Sequence, residues 1–238
     1  MHRIGTAGWT IPRASASRFP PDGTHLQRYA RVFGAAEINS SFHRPHAEGI
    51  YRKWAESTPP GFLFSVKLPR AITHDLKLRR ARAPLEQFLG ESAGLGDRRG
   101  PLLMQLPPSF AFDARVVARF LDLLRTRHAG HVVCEPRHAT WFTAAVETLL
   151  ARYEVARVAA DPALAPGAHA PGGWPGLIYY RLHGSPRTYW SRYEAAFIEA
   201  LAARMPADAW CIFDNTASGA AVENALELRA SVTASRHP

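Results

Sequence analysis

Leu177-Ile178-Tyr179-Tyr180-Arg181-Leu182-His183-Gly184 is the stretch on which the reading of this 238-residue chain turns. An extended chain places alternate residues on one face. Arg181 and His183 therefore share a face, Tyr180 and Leu182 take the other, and Gly184 ends the run where the chain must turn. A strand that is apolar at its start and polar at its finish fits a sheet with a packed base and a chemically active rim.

Working outward, seven further stretches read as strands: 3–9, 35–42, 62–68, 100–107, 131–135, 155–161 and 209–215. Helical spacing of apolar residues falls between them, at 24–33, 47–56, 85–89, 113–128, 141–153, 193–205 and 220–234. Thr24 reads as a cap and Gly34 as a stop, and Pro107-Pro108 halts the fourth strand. The Pro/Gly/Ala stretch up to Gly176 lacks helical periodicity and reads as loop. Eight strands alternating with helices predict a parallel α/β architecture, a single (β/α)8 TIM-like barrel over residues 1–238, with room for irregularity after the sixth strand. The other candidate is an open doubly wound sheet. It would call for a glycine-rich phosphate loop after the first strand, and Gly5-Thr6-Ala7-Gly8-Trp9 does not supply one.

Composition sets bounds on function. Hydrophobic residues make up 47% of the chain and charged ones 21%, enough for a real core and too little charge for a disordered chain. A net charge of +9 favours anionic partners and says nothing about fold. Cys134 and Cys211 lie in separate strands without zinc-type spacing, so both read as core residues with no disulfide. With no signal-like apolar segment near Met1 and no apolar run long enough to span a bilayer, the expectation is a cytoplasmic protein with no membrane partner. Oligomeric state is left open.

In such a barrel the site forms at the C-terminal ends of the strands. The residues there are Trp9, Glu37 and Asn39, Lys67, Gln105, Glu135 and Arg137, Asp161, Arg181 and His183, and Asp214 with Asn215. A purely structural ion-pair rim is the competing reading, because buried charges need partners. The variety of groups favours a site.

Several motifs coincide in order along the chain: Gly5-Thr6-x-Gly8-Trp9, Glu37-Ile38-Asn39-Ser40-Ser41-Phe42, Ile72-Thr73-His74, Gln105-Leu106-Pro107-Pro108-Ser109-Phe110, Glu135-x-Arg137-His138-x-x-Trp141, Tyr180-Arg181-Leu182-His183-Gly184 and Asn215-Thr216-x-x-Gly219-x-Ala221. Together they resemble the domain of unknown function 72 family, also called YecE-like. The resemblance implies a TIM-barrel-like fold with a pocket at the strand C-termini, and leaves the activity open.

The residues themselves point to an enzyme, a hydrolase, lyase or isomerase, using general acid/base chemistry on a small phosphate- or carboxylate-bearing substrate. Lys67, Arg137 and Arg181 would bind the anion, and Glu37 or Glu135 would exchange protons with His183. Trp9, Asn39, Gln105, Asp161 and Asn215 complete the substrate-binding set. No metal ligand set is assigned and no cofactor is named, although Glu37, Glu135, Asp161, His183 and Asp214 offer donors for a divalent metal. The alternative is a nucleic-acid-binding protein or phosphodiester-cleaving nuclease that uses the basic segment from Lys67 to Arg82, a segment that would also suit a solvated helical face.

Overall fold

The computed structural model describes residues 2–234; position 1 and positions 235–238 of the expected domain lie outside them. Strands and helices alternate, and the strands pair almost wholly in parallel. Sheet one has the order β1 (Arg3–Thr6), β10 (Trp210–Phe213), β9 (Tyr179–Leu182), β7 (Ala159–Asp161). Sheet two runs β2 (Ala35–Ile38), β3 (Leu63–Lys67), β4 (Arg99–Gln105), β5 (Val132–Glu135), β6 (Val155–Arg157), β8 (Gly172–Gly173). The expected closed ring is thus found as two parallel-dominated sheets.

Each expected strand is present but shorter, in most cases because its polar end turns into a loop. The second strand stops at Ile38 and a 3-10 turn takes Ser40–Phe42. The sixth is divided: β6 pairs with β5, and after Val158 the chain crosses to pair with β9 as β7. The loop before β9 carries one pair the sequence reading lacked, the two glycines of β8, which run antiparallel to β6. At the other seam an isolated parallel bridge joins Ala7 to Glu37. Gly5 permits that approach, since a Cβ there would stand 2.0 Å from the Ala35 carbonyl oxygen.

The helices are α1 (His25–Ala30), α2 (Glu48–Glu56), α3 (Arg82–Ser92), α4 (Ala114–Arg125), α5 (Ala144–Arg152), α6 (Ala195–Arg204) and α7 (Ala220–Ala234). Local chemistry fixes their starts. Thr24 and Gln27 form a reciprocal capping box on α1. The Asp113 carboxylate accepts from the Arg115 and Val116 amides at the head of α4, a cap that contributes about 1 kcal/mol. Val117, Phe120, Leu121 and Leu124 recur at helical spacing and are buried, each contributing roughly 1.5–3 kcal/mol by leaving water.

Strand parity divides the core in two. Residues such as Ile38, Val66, Met104, Cys134, Leu182 and Phe213 face the helices and join the larger cluster. Their neighbours of opposite parity, Ala35, Leu103, Val133, Ala156, Val158, Ala160, Tyr179, Trp210 and Ile212, pack against one another in a second cluster. This inner cluster is the floor beneath the polar strand ends.

Candidate functional site: an arginine-centred acid/base cluster

The inner parity that gives Tyr179, Ile212 and Val133 their apolar packing carries Arg181, Asp214 and Glu135 onto the same face two residues later. β9 therefore delivers Arg181 and His183 to a place where Glu37 from β2, Glu135 from β5 and Asp214 past β10 converge. All five are buried.

Arg181 is the centre of this group. Its Nε donates to both Glu37 oxygens at 3.1 and 3.2 Å and its Nη2 to Glu37 Oε1 at 2.7 Å. Nη1 donates to Glu135 Oε2 at 3.0 Å, and Nη2 lies 2.9 Å from Asp214 Oδ2. The Tyr179 hydroxyl donates to Glu37 Oε2 at 3.0 Å and lies 2.9 Å from Ser65 Oγ.

His183 bridges two carboxylates, with Nε2 2.8 Å from Glu135 Oε1 and Nδ1 3.1 Å from Asp214 Oδ2. Gln105 Nε2 donates to both oxygens of Glu135 at 3.1 and 3.2 Å. Burial alone would lower the His183 pKa, but the Glu135 charge and the bonds to Asp214 and Glu135 raise it above the ordinary value. Both ring nitrogens then donate, as an imidazolium requires. Burial works against ionisation of Glu135 and Asp214 too, yet His183 and Arg181 hold Glu135, and Arg181 and His183 hold Asp214, below the usual carboxylate range. Three carboxylates face two hydrogen-bonded cations, and the Lys67 charge offsets the excess from nearby.

Lys67 stands apart from these bonds. Its stem is buried, its Nζ lies 4.1 Å from the centre of the Phe42 ring, and no carboxylate oxygen of the described residues is within ion-pair distance of it. Burial, and then the Arg181 charge, pushes its pKa down to about 8, against the pull of Glu37, Glu135 and Asp214. His74 is lowered by burial first and then by Lys67 and Arg70, with Arg137 adding to the effect, so Lys67 and Arg137 both act on it. Half-buried Arg137 donates from Nη1 to the Tyr189 hydroxyl at 3.1 Å, while its Nε is buried without a partner. Asn39 Oδ1 is likewise buried and unpaired. Open polar capacity is therefore found on Lys67, Arg137 and Asn39.

Not every residue expected at the rim arrives there. The guanidinium of Arg181 is occupied by three carboxylates and out of contact with solvent, so its donors are spent inside the cluster. Asp161 has the parity of Ala159, toward the helices, where its carboxylate accepts from the Tyr193 hydroxyl at 2.8 Å. Asn215 faces away from its neighbour Asp214 and ties the chain together, donating to the Ser191 carbonyl and to Asn224 Oδ1 at 2.9 and 3.0 Å. Trp9 packs edge-on against Trp54 and Phe64 at centroid distances of 5.1 and 5.9 Å. The donors considered for a divalent metal do not fit one: the Arg181 guanidinium already fills the space among Glu37, Glu135 and Asp214, and Asp161 points elsewhere. Among the described residues no group of three His, Cys, Asp or Glu is disposed to hold a metal ion.

Tyr179, Ser65 and Tyr189 join the site without having been singled out. The first two carry a readable signal, lying two residues before Arg181 and Lys67 on the same faces. Tyr189 comes from the loop after Gly184, with its ring 5.5 Å from that of His183 at 89°, and only the folded loop brings it there.

In the basic segment, Arg70 is paired with Asp75 at 3.2 Å, Arg79 with Asp113 at 3.2 Å and Arg82 with Glu86 at 3.6 Å. These charges sit on exposed side chains that already have acidic neighbours, which fits a solvated face.

Comparison with known proteins agrees with this architecture. The chain is 30% identical over 143 residues to the UPF0759 protein YecE of Escherichia coli K12, an alignment covering 60% of this chain and 50% of that protein. The match thus spans about half the length of this curated relative. A crystal structure of a DUF72 family protein from Enterococcus faecalis V583 superposes with a TM-score of 0.81 at 18% identity, covering 98% of this chain and 96% of that one. A DUF72 family protein from Thermotoga maritima MSB8 gives 0.76 at 23% identity, covering 98% and 99%. These likenesses show the fold. Among the described residues, moreover, no helix is long and apolar enough to cross a membrane. The model of the family described as protein of unknown function DUF72 matches residues 3–238, and the chain belongs to that family.

Proposed function

We propose that this chain is an enzyme that performs general acid/base chemistry on a small phosphate- or carboxylate-bearing substrate at the C-terminal ends of its strands. The observation that carries the reading is the division of labour among the charged groups. Arg181 saturates and fixes Glu37, Glu135 and Asp214, while Lys67 and Arg137 keep unspent donors beside them. Lys67 and Arg137 hold the anionic end of the substrate, Asn39 and Gln105 orient it, and the Glu135–His183–Asp214 chain exchanges protons with it.

The two sheets are read here as the staves of one TIM-like barrel in a single domain over 1–238. Support comes from the Ala7–Glu37 bridge at one seam and the passage of the chain through Val158 at the other. A cytoplasmic setting belongs to the same reading, supported by two buried, unpaired cysteines.

The test is a thermal-shift titration with inorganic phosphate and with succinate. Wild type should gain stability with rising concentration of at least one, by the linkage of binding to folding, and Arg137→Ala should not. If neither anion moves the wild-type midpoint at millimolar concentration, the reading fails.

A further inference from the structure

The sequence holds 29 Lys and Arg residues, and only Lys53, Lys67 and Lys77 are lysines. Lys53 is exposed, and Lys77 donates its Nζ to the Ser109 carbonyl at 3.1 Å. Lys67 alone lies at the strand-end cluster. A chain that otherwise uses arginine so consistently keeps a lysine at a buried position beside the cluster where, among the described residues, the amine has no hydrogen-bonded or ion-paired partner.

Charge alone does not explain that choice. Arginine would serve an anion or a ring of carboxylates at least as well, since it stays protonated and can bind bidentately. Lysine differs in being able to lose a proton and expose a nucleophilic lone pair. Its surroundings favour the loss: the stem is buried, the amine faces the Phe42 ring at 4.1 Å, the Arg181 cation is nearby, and no carboxylate is bonded to it.

Resting on the anion-binding reading above, we propose that Lys67 is an amine nucleophile that condenses with the carbonyl group of a small substrate whose carboxylate or phosphate is held by Arg137. The substrate class is thereby narrowed to 2-oxo acids and phosphorylated aldehydes or ketones. The lone pair of Nζ attacks the carbonyl carbon, the C=O π electrons move to oxygen, and a carbinolamine forms. The C–O bond then breaks as the hydroxyl leaves in the form of water, and the nitrogen lone pair completes the C=N bond. An ammonium and a carbonyl become a protonated imine and one water, with no change of oxidation state. The proton first shed by the ammonium is the one the departing hydroxyl takes up, and the carboxylates whose charge acts on Lys67 are assigned to carry it between them. With a pKa near 8, a usable fraction of the amine is neutral in neutral solution.

Sodium cyanoborohydride trapping tests this, with pyruvate and dihydroxyacetone phosphate as probes and peptide mass spectrometry as the readout. Lys67 should acquire the reduced adduct of at least one probe about tenfold or more faster than Lys53 or Lys77, the other lysines being internal controls. Lys67→Arg keeps the charge and removes the amine, so it should abolish the fast adduct, while the wild-type thermal shift with lactate or glycerol 3-phosphate, which lack the carbonyl, reports anion binding separately. Labelling of Lys67 no faster than Lys53 would overturn the proposal while leaving the anion-binding reading intact if those thermal shifts persist. Loss of the shifts in wild type as well would remove both.

Discussion

Glu37 on β2 and Arg181 on β9 lie 144 positions apart in the sequence and meet through three hydrogen bonds of 2.7–3.2 Å inside the protein. Removing one side of such a pair leaves an uncompensated buried charge. Arg181→Met abandons three carboxylates at once and should cost about 3–5 kcal/mol. Glu37→Gln keeps the shape and leaves Arg181 two carboxylates, for a loss of about 1–3 kcal/mol. Urea denaturation measures both, and equal small effects would remove Arg181 from the centre of the cluster.

The pH dependence of stability should have two limbs. Glu135 and Asp214 have folded pKa values below their ordinary 4.5 and 3.8, so their contribution is present above those values and lost as pH falls. His183 has its folded pKa raised above 6.5, so its contribution is complete below 6.5 and lost as pH rises through the raised value. His128, lowered to about 4 first by burial, acts in the opposite sense between 4 and 6.5. The His183 part is therefore isolated by difference: His183→Gln should abolish a decline above pH 6.5 whose slope cannot exceed about 1.4 kcal/mol per pH unit. A decline of unchanged slope in the variant would contradict a charged His183.

Parity explains both what the sequence revealed and what it concealed. Alternation from Tyr179 to His183, and from Ser65 to Lys67, is a local property, so the convergence of these side chains could be read from spacing. The same rule places Asp161 with Arg157 and Asn215 opposite Asp214, away from the inner face, although both carry polar groups at strand ends. Proximity to a strand end was thus a weaker guide than face. Occupancy was not readable at all: whether Arg181 meets a substrate or three carboxylates depends on β2, β5 and the end of β10 arriving together. The crossing at Val158 was hidden for a related reason, since residues 155–161 alternate as one strand whichever sheet each half joins.

Asp161 supplies a direct check on this use of parity. Asp161→Asn retains an acceptor for the Tyr193 hydroxyl and lies outside the cluster, so it should change stability by less than about 1 kcal/mol. The anion-dependent thermal shift should match wild type. Its disappearance would return Asp161 to the site.

Buried Asn224 holds the loop that carries Tyr189. It donates to the Tyr193 carbonyl at 2.9 Å and accepts from the Tyr193 amide and the Asn215 Nδ2, both at 3.0 Å. Asn224→Ala should cost about 2 kcal/mol by leaving those partners unpaired. Faster hydrogen exchange at the Tyr193 amide should accompany the loss, and protection there equal to wild type would show that the loop is anchored elsewhere.

The central claim is that Lys67 and Arg137, and not the saturated Arg181, receive an anion beside the acid/base cluster. A crystal structure of the protein soaked in inorganic phosphate tests it most directly. The account predicts phosphate density within hydrogen-bonding distance of Lys67 Nζ and the Arg137 guanidinium, with the bonds from Arg181 to Glu37, Glu135 and Asp214 unbroken. Phosphate bound to Arg181 with those bonds broken, or no density at the strand ends at a concentration that shifts the melting midpoint, would contradict it.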